Sequence, residues 1–465
     1  MTVHGLSPSF SLRGDQPLQI AIVGRGFSGL MMAIALLKSV NQPFRLRMFD
    51  PRPIISGGQA LATARSTEIL NSRARDLSVS TGEPKDFTRW LQANAPFREA
   101  VSAAIPGFGQ IFVPKATFSD YVYQRFSEAL AQRTDVTVQM SNDGISHIRR
   151  NDNGLFTLSL ADGGEAVYDT VVLATGYGLK PPLETSEQVM DAILMERPGN
   201  RRHVVVMGNG LRAVDQVLQL RDGGFTGHIT ILSRRGFLPQ PHTRMPADAV
   251  FPTQPMPSQL RNIVRFVRDA CAEAEENGWS WQAAMNGLRK RARTLWASLP
   301  PSEKRQFNRH LRAIYDSHRN RLPADVHARL ERELASGLTE LKRGTTLKRT
   351  ADGLLVRWAG QPVESHFAAD EVIDCRCLSP DLRDPVVADL LEAGLAATDE
   401  LDLGLAVNPA GELITPKGRP AGLFAVGPLG LGSLPDIDLV PEIVTQTYAA
   451  ATLIGARSLP QLQAS

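Results

Sequence analysis

Two stretches with the same internal spacing hold the residues best suited to chemistry. Gly24-Arg25-Gly26-Phe27-Ser28-Gly29 follows the apolar run 19–23, and Asp50 stands 26 positions after Gly24. Gly208-Asn209-Gly210-Leu211-Arg212-Ala213 follows the run 204–207, and Arg234 stands 26 positions after Gly208. A glycine turn between strand and helix lets the backbone approach a pyrophosphate. The phosphate charge then rests on the free N–H groups and positive end of the helix. The residue that closes the next strand meets the adenosine ribose. A carboxylate there accepts from ribose hydroxyls and repels a 2′-phosphate, whereas an arginine attracts one. The chain therefore predicts two sites of opposite preference. Gly24, Gly26, Phe27, Ser28, Gly29 and Asp50 suit the adenosine half of FAD, or NAD. Gly208, Gly210, Leu211, Arg234 and Arg235 suit NADPH.

Chance is a poor account of the pair. With 38 glycines in 465 residues, one three-glycine pattern is expected roughly 0.2 times, so a lone match says little. Two matches, each between an apolar strand and a helix and each with an apt residue 26 positions on, say much more.

The elements that must position these motifs follow from periodicity. Leu30, Met31, Ala33, Ile34, Leu36 and Leu37 give the first helix a largely apolar surface suited to burial. Residues 86–93 and 117–130 carry helical patterns. Short strands are predicted at 136–140, 145–150, 156–160 and 171–174, separated by Asn142-Asp143-Gly144, 151–154 and Asp162-Gly163-Gly164. These read as a meander on the first domain, ending at Thr175 and Gly176, which mark a crossing between domains. A helical insertion is expected at 256–340, with Pro323 opening its last helix and Gly337 closing it. The predicted class is α/β, with two Rossmann-like domains, the second inserted in the first. The FAD domain spans 18–194 and 366–465, the NADPH domain 195–365, and residues 1–17 form a loose tail. The late strand 423–428 places Gly427 near a flavin, and 372–375 is a buried-looking strand of the same returning segment.

Composition excludes several classes. The chain is 43% hydrophobic and 21% charged, as in a globular enzyme. A net charge of +3 does not imply a nucleic-acid partner. Apolar stretches fall short of the ~18 residues of a membrane span. Three cysteines predict no disulfide framework and fit a reducing cytoplasm. Residues 289–343 hold 14 Lys+Arg against 6 Asp+Glu. That excess leaves two readings open: a solvated helical face, or a rim that draws in an anionic substrate or the NADPH phosphates.

Several further segments carry a resemblance: Ser56-Gly57-Gly58-Gln59-Ala60, Ile69-Leu70-Asn71, Asp86-Phe87 with Trp90-Leu91, Ser233-Arg234-Arg235-Gly236 with His242, Tyr315-Asp316-Ser317-His318-Arg319-Asn320-Arg321, and 424–429. The chain resembles two-dinucleotide-binding flavoproteins and, more closely, the bacterial FAD/NAD(P)-binding proteins to which aspartate N-hydroxylases are related. The resemblance implies FAD, NADPH, hydride transfer between them, and local roles for Gln59 and Asn71 beside the flavin. It points to an oxygen-inserting monooxygenase that uses molecular oxygen on a small polar substrate, with N-hydroxylation of an amine foremost. His242, His318, Arg319 and Arg321 are the substrate candidates. Two departures stand out. Gly427-Pro428 replaces the usual Gly-Asp, and Asn320 replaces a second histidine.

Other chemistry is less well served. Cys375-Arg376-Cys377 is a poor redox pair, because residues i and i+2 of a strand do not bond readily. No histidine pair has metal-ligand spacing beyond His310 and His318, two turns apart, and no metal is expected. A plain NADPH-dependent reductase or oxidase, and a non-catalytic dinucleotide sensor, share the same motifs.

Overall fold

The computed structural model describes residues 17–52, 68–94, 110–178, 193, 202–243, 248–250, 255–376 and 379–458. Gln59, Cys377 and nearly all of the predicted tail lie outside them.

Two six-stranded sheets carry the two glycine turns. The first has the order β14-β15-β7-β1-β2-β3. Its centre is β1 (Leu18–Val23), flanked in parallel by β2 (Phe44–Phe49) and β7 (Thr170–Leu173). β3 (Thr137–Ser141) lies beyond β2; β15 (Pro420–Ala425) and the antiparallel β14 (Glu412–Ile414) lie beyond β7. Both ends of the chain thus build one sheet. Helix α1 (Phe27–Ser39) is buried from Phe27 to Leu37, in line with its apolar surface. It shares a core with α2 (Asp86–Ala93), α3 (Lys115–Ala131) and the C-terminal α11 (Val440–Ser458). The other face of the sheet packs on the antiparallel meander β4 (Ile145–Arg150), β5 (Phe156–Leu160) and β6 (Glu165–Tyr168), together with α10 (Pro385–Glu392).

The second sheet has the order β12-β11-β10-β9-β8-β13. β8 (His203–Met207) precedes α4 (Leu211–Asp222), and β9 (His228–Ser233) pairs in parallel with β8 and with β10 (Thr339–Thr350). The helical insertion falls between β9 and β10, as α5 (Leu260–Glu276), α6 (Trp281–Ser298), α7 (Pro301–His310), α8 (Arg312–Arg319) and α9 (Ala324–Ala335). β11 (Gly353–Trp358) and β12 (Glu364–Ala368) form an antiparallel extension of β10. The insertion leans on the returning segment of the first domain. Trp296 Nε1 donates to Gly432 O at 2.9 Å, and Arg293 pairs with Glu442 at 2.7 Å.

Three expectations need correction. The strand near 136–140 is no part of the meander, because β3 extends the parallel sheet beside β2; alternation shows that a segment is a strand but not which edge it joins. The strand at 372–375 belongs to the second sheet, since β13 (Glu371–Asp374) pairs in parallel with β8. The return to the first sheet therefore follows Asp374 rather than 366. The insertion ends at α9, and residues 339–340 already belong to β10.

Candidate functional site

The two glycine turns are near copies of each other. Gly24 (φ +106°) and Gly208 (φ +117°) sit in the left-handed region that favours glycine. A Cβ on Gly24 would strike the carbonyl of Ala174, and one on Gly208 would lie 2.6 Å from the carbonyl of Cys375. Each turn is thus pressed against the neighbouring parallel strand end. A Cβ on Gly29 would strike the Gly24 carbonyl, so the third glycine seats the helix on its own turn.

Gly26 and Gly210 cap α1 and α4 in the same extended conformation (φ −70°, ψ −171° and φ −85°, ψ −170°), and neither helix has a side-chain N-cap. An uncapped helix start leaves its first N–H groups seeking an acceptor, which a pyrophosphate supplies. The space around a Cβ on Gly210 is open to 4 Å. At the first site Gly427 (φ +80°) lies against Ser28, with its would-be Cβ 2.5 Å from Ser28 Oγ, so the late turn does reach the start of α1. Thr175 Oγ1 is buried without a partner among the described residues, as a group waiting for a ligand would be. These features fit a dinucleotide at each turn.

Asp50 is buried and fully engaged. Oδ2 accepts from Arg25 N (3.0 Å) and an Arg52 NH2 (2.8 Å); Oδ1 accepts from Arg52 N (3.1 Å) and Nε (2.8 Å). Burial alone would raise its pKa, but Arg52 and the two backbone N–H groups outweigh burial and lower it. A carboxylate has about four acceptor sites, so a ribose can bind Asp50 only when the partly exposed Arg52 turns outward. Arg25 is a residue that motif reading passes over. Its buried guanidinium donates to Asp50 O (2.9 Å), Arg52 O (2.6 Å) and Asn142 Oδ1 (2.7 Å), tying the glycine turn to the ends of β2 and β3.

At the second site Arg234 and Arg235 are exposed at the end of β9. Arg235 donates to Arg309 O at 3.0 Å, while Arg234 has no partner among the described residues. Register places Arg343 of β10 beside Ser233, and a Cβ on Gly236 would lie 2.8 Å from Arg343 Cγ. Two guanidiniums at the end of β9 thus have the side chain of Arg343, from the adjacent strand β10, beside their loop. Asn209 donates to Phe237 O, which fastens the glycine turn to this arginine loop.

The substrate candidates separate into three groups. Arg319 is bound to the C-terminal segment: NH1 lies 3.1 Å from Asp436 Oδ1, with both side chains buried, and Tyr315 donates to Asp436 at 3.1 Å. Removing one partner of such a pair leaves a stranded charge, so its geometry is that of a support for the insertion. His318 packs on Trp281 (5.1 Å) and lies 2.9 Å from Ile314 O. His242 and Arg321, by contrast, meet Asn71 and Arg73 at the seam between the first domain and the insertion. His242 Nε2 lies 2.9 Å from Asn71 O, and its ring rests 5.0 Å from Phe112. Burial first, and the charge of Arg321 next, hold His242 neutral, with a pKa down to about 3. Cys375 is a buried thiol pushed up to about 12 by burial, consistent with packing and not with redox exchange.

A charged cluster also joins the two domains beside α4. Glu68 accepts from Lys115 (2.5 Å) and Gln219 (2.7 Å), and Lys115 lies 3.9 Å from Asp215. Burial raises the Asp215 pKa to about 6, with Lys115 opposing and Glu68 adding. A raised pKa means the folded state holds this proton more tightly than the unfolded chain does. Its contribution therefore favours folding below about pH 4 and is lost as pH rises through about 6. Asp215→Asn is expected to raise Tm at pH 8, with the gain shrinking toward pH 4. Equal Tm differences across that range would refute the assignment.

Residues 21–178 match the family model described as FAD-NAD(P)-binding. A search of curated proteins returns no match. Solved structures are similar over nearly the whole chain. The ornithine N-hydroxylase of Kutzneria sp. 744 superposes with a TM-score of 0.62 at 17% identity, covering 95% of this chain and 100% of that one. The L-lysine 6-monooxygenase of Pseudomonas syringae gives 0.61 at 14% identity, covering 96% and 100%. A bacillithiol disulfide reductase from Bacillus cereus gives 0.50 at 14% identity, covering 95% and 100%. Together with the twin glycine turns, these matches show that the chain shares the two-dinucleotide-binding fold of these enzymes, with residues 21–178 matching the FAD-NAD(P)-binding model.

Proposed function

We propose that the protein is an FAD-dependent, NADPH-using monooxygenase that N-hydroxylates a small polar amine bearing negative charge. The observation that carries the cofactor pair is the twin uncapped helix starts at Gly26 and Gly210, one backed by Asp50 and the other by the Arg234 loop. Gly24, Gly26, Phe27, Ser28, Gly29, Asp50, Thr175, Gly176 and Gly427 would hold FAD; Gly208, Gly210, Leu211, Arg234, Arg235 and Arg343 would hold NADPH. When bound, the flavin supplies hydride acceptance from NADPH and activation of dioxygen. The chain's own residues bind and orient both partners and screen the site from water.

Oxygen insertion is supported by similarity in fold to an ornithine N-hydroxylase and a lysine monooxygenase. The disulfide reductase neighbour carries less weight, because the buried Cys375 lies beside the NADPH turn and holds its proton. Negative charge on the substrate is supported by the buried arginines at the seam, Arg73 and Arg321. A cytoplasmic setting is part of the same reading; no helix among the described residues is long and apolar enough to cross a membrane.

The test is coupled turnover. NADPH oxidation should rise with the correct amine and yield hydroxylated product. Rapid amine-independent oxidation that ends wholly in hydrogen peroxide would favour a plain oxidase.

A further inference from the structure

Arg73 and Arg321 are 6% and 8% exposed, and every acceptor they meet among the described residues is neutral. Arg73 donates to Gln110 O (2.7 Å) and Thr243 O (2.6 Å) and lies over the Phe112 ring at 4.9 Å. Arg321 donates to Gln282 Oε1 (2.6 Å) and Asn286 Oδ1 (2.6 Å) and lies over Trp281 at 5.9 Å. One residue joins the two. The carbonyl of Thr243 takes Arg73, and its N–H donates at 3.3 Å to the Gln282 oxygen that also takes Arg321. Arg321 Nε is buried without a partner among the described residues.

Two cations are thus buried around one residue, Thr243, with no carboxylate among the described residues hydrogen-bonded to either. The acids nearby, Asp76 and Asp248, stand by Arg75 at 4.0 and 3.8 Å and are 45% and 92% exposed. Arg289 adds further positive charge, and His242, held neutral, subtracts none. Burial first, then neighbouring guanidiniums (Arg75 beside Arg73, Arg289 and Arg73 beside Arg321), lower the pKa of both arginines, Arg321 to about 10, and the charge of Asp76 offsets this only in part. Buried charges in proteins are ordinarily paired, and a guanidinium fork matches a carboxylate better than any other common anion except phosphate.

Resting on the oxygenase reading above, we infer that Arg73 and Arg321 form a two-armed receptor for a carboxylate carried by the substrate. His242 and Asn71 border the receptor, and Gln282 and Thr243 set the distance between its arms. Arg73, which motif reading does not select, is then a specificity-determining residue equal to Arg321.

The experiment uses the flavin-loaded enzyme with succinate and acetate as probes, at an ionic strength held constant with chloride. Thermal shift and direct titration should show that a carboxylate stabilises the native protein beyond chloride. Arg73→Gln and Arg321→Gln should each lower that affinity at least ~10-fold, as loss of a charge-assisted hydrogen bond does. Arg321→Lys should restore only part of it. The two substitutions are made separately, so if one variant fails to retain flavin the other still decides. No carboxylate effect in the native enzyme, or an effect that survives both substitutions, would overturn the receptor. The alternative anion is a cofactor phosphate, so 2′,5′-ADP is titrated in parallel. Unchanged affinity for it is expected, and a matching loss would assign the arginines to NADPH and overturn the substrate role. An enzyme that binds carboxylates through these arginines yet inserts no oxygen would keep the receptor and discard the monooxygenase reading.

Discussion

Gly26→Leu should yield folded but colourless protein. The backbone at Gly26 has φ −70°, which any residue adopts, and the position caps α1 without using a side chain. A leucine there meets no left-handed backbone strain. It fills the space through which a pyrophosphate approaches the helix start. Flavin content should drop to about a tenth or less of the native level, since the anion would lose its contact with the helix N–H groups. Gly210→Leu makes the complementary case: φ is −85° and the surroundings of a Cβ are open, so that variant should stay yellow while losing NADPH. Gly24→Leu and Gly208→Leu would be poorer probes, because positive φ and a carbonyl in the way would damage the turn itself. Absorbance at the flavin band in purified protein, with circular dichroism as a fold control, decides the matter. A yellow Gly26→Leu variant with normal flavin content would refute the first-site assignment.

The second large effect concerns cofactor choice. Arg234→Ala should weaken NADPH roughly 10- to 100-fold while leaving NADH nearly unchanged, the range expected for loss of one or two charge-assisted bonds to a phosphate. Arg234 is exposed and uncommitted among the described residues, whereas Arg235 already serves Arg309. Arg343→Ala should act in the same direction with a smaller effect, because Arg343 reaches the loop from β10 with its stem against Gly236, whereas Arg234 stands in the loop itself. Titration of both nucleotides against each variant tests this. Equal losses for NADPH and NADH in Arg234→Ala would remove the 2′-phosphate role.

What could be read from residues alone was the local chemistry. The strand–turn–helix units at Gly24 and Gly208 are set within about 30 consecutive residues, and β1, α1, β2, β8, α4 and β9 all fall where periodicity puts them. The insertion was equally legible, because its helices repeat apolar residues at helical spacing. Pairings between distant segments were not. Nothing in 371–374 distinguishes a strand beside β8 from one beside β15; both edges want the same apolar residues. Arg343 joins the Arg234 loop only because β10 runs parallel to β9 after more than a hundred intervening residues. Asp50 was found, but not that Arg52 would cover it, since that depends on how the chain turns after β2. Among the four substrate candidates, Arg319 and Arg321 lie two positions apart and have opposite surroundings. One meets Asp436, and the other, among the described residues, meets only neutral oxygens. A residue's partner comes from the fold, and its partner decides whether a buried arginine supports structure or awaits a ligand.

The central claim is that oxygen is inserted into a small amine. It is tested most directly by turnover under labelled dioxygen with NADPH, using amines that carry a carboxylate alongside their decarboxylated counterparts. The account predicts one labelled oxygen atom in the N-hydroxylated product, with the carboxylate-bearing amine preferred and the preference lost in Arg321→Gln. Label found only in hydrogen peroxide and water, with every amine unchanged, would contradict it.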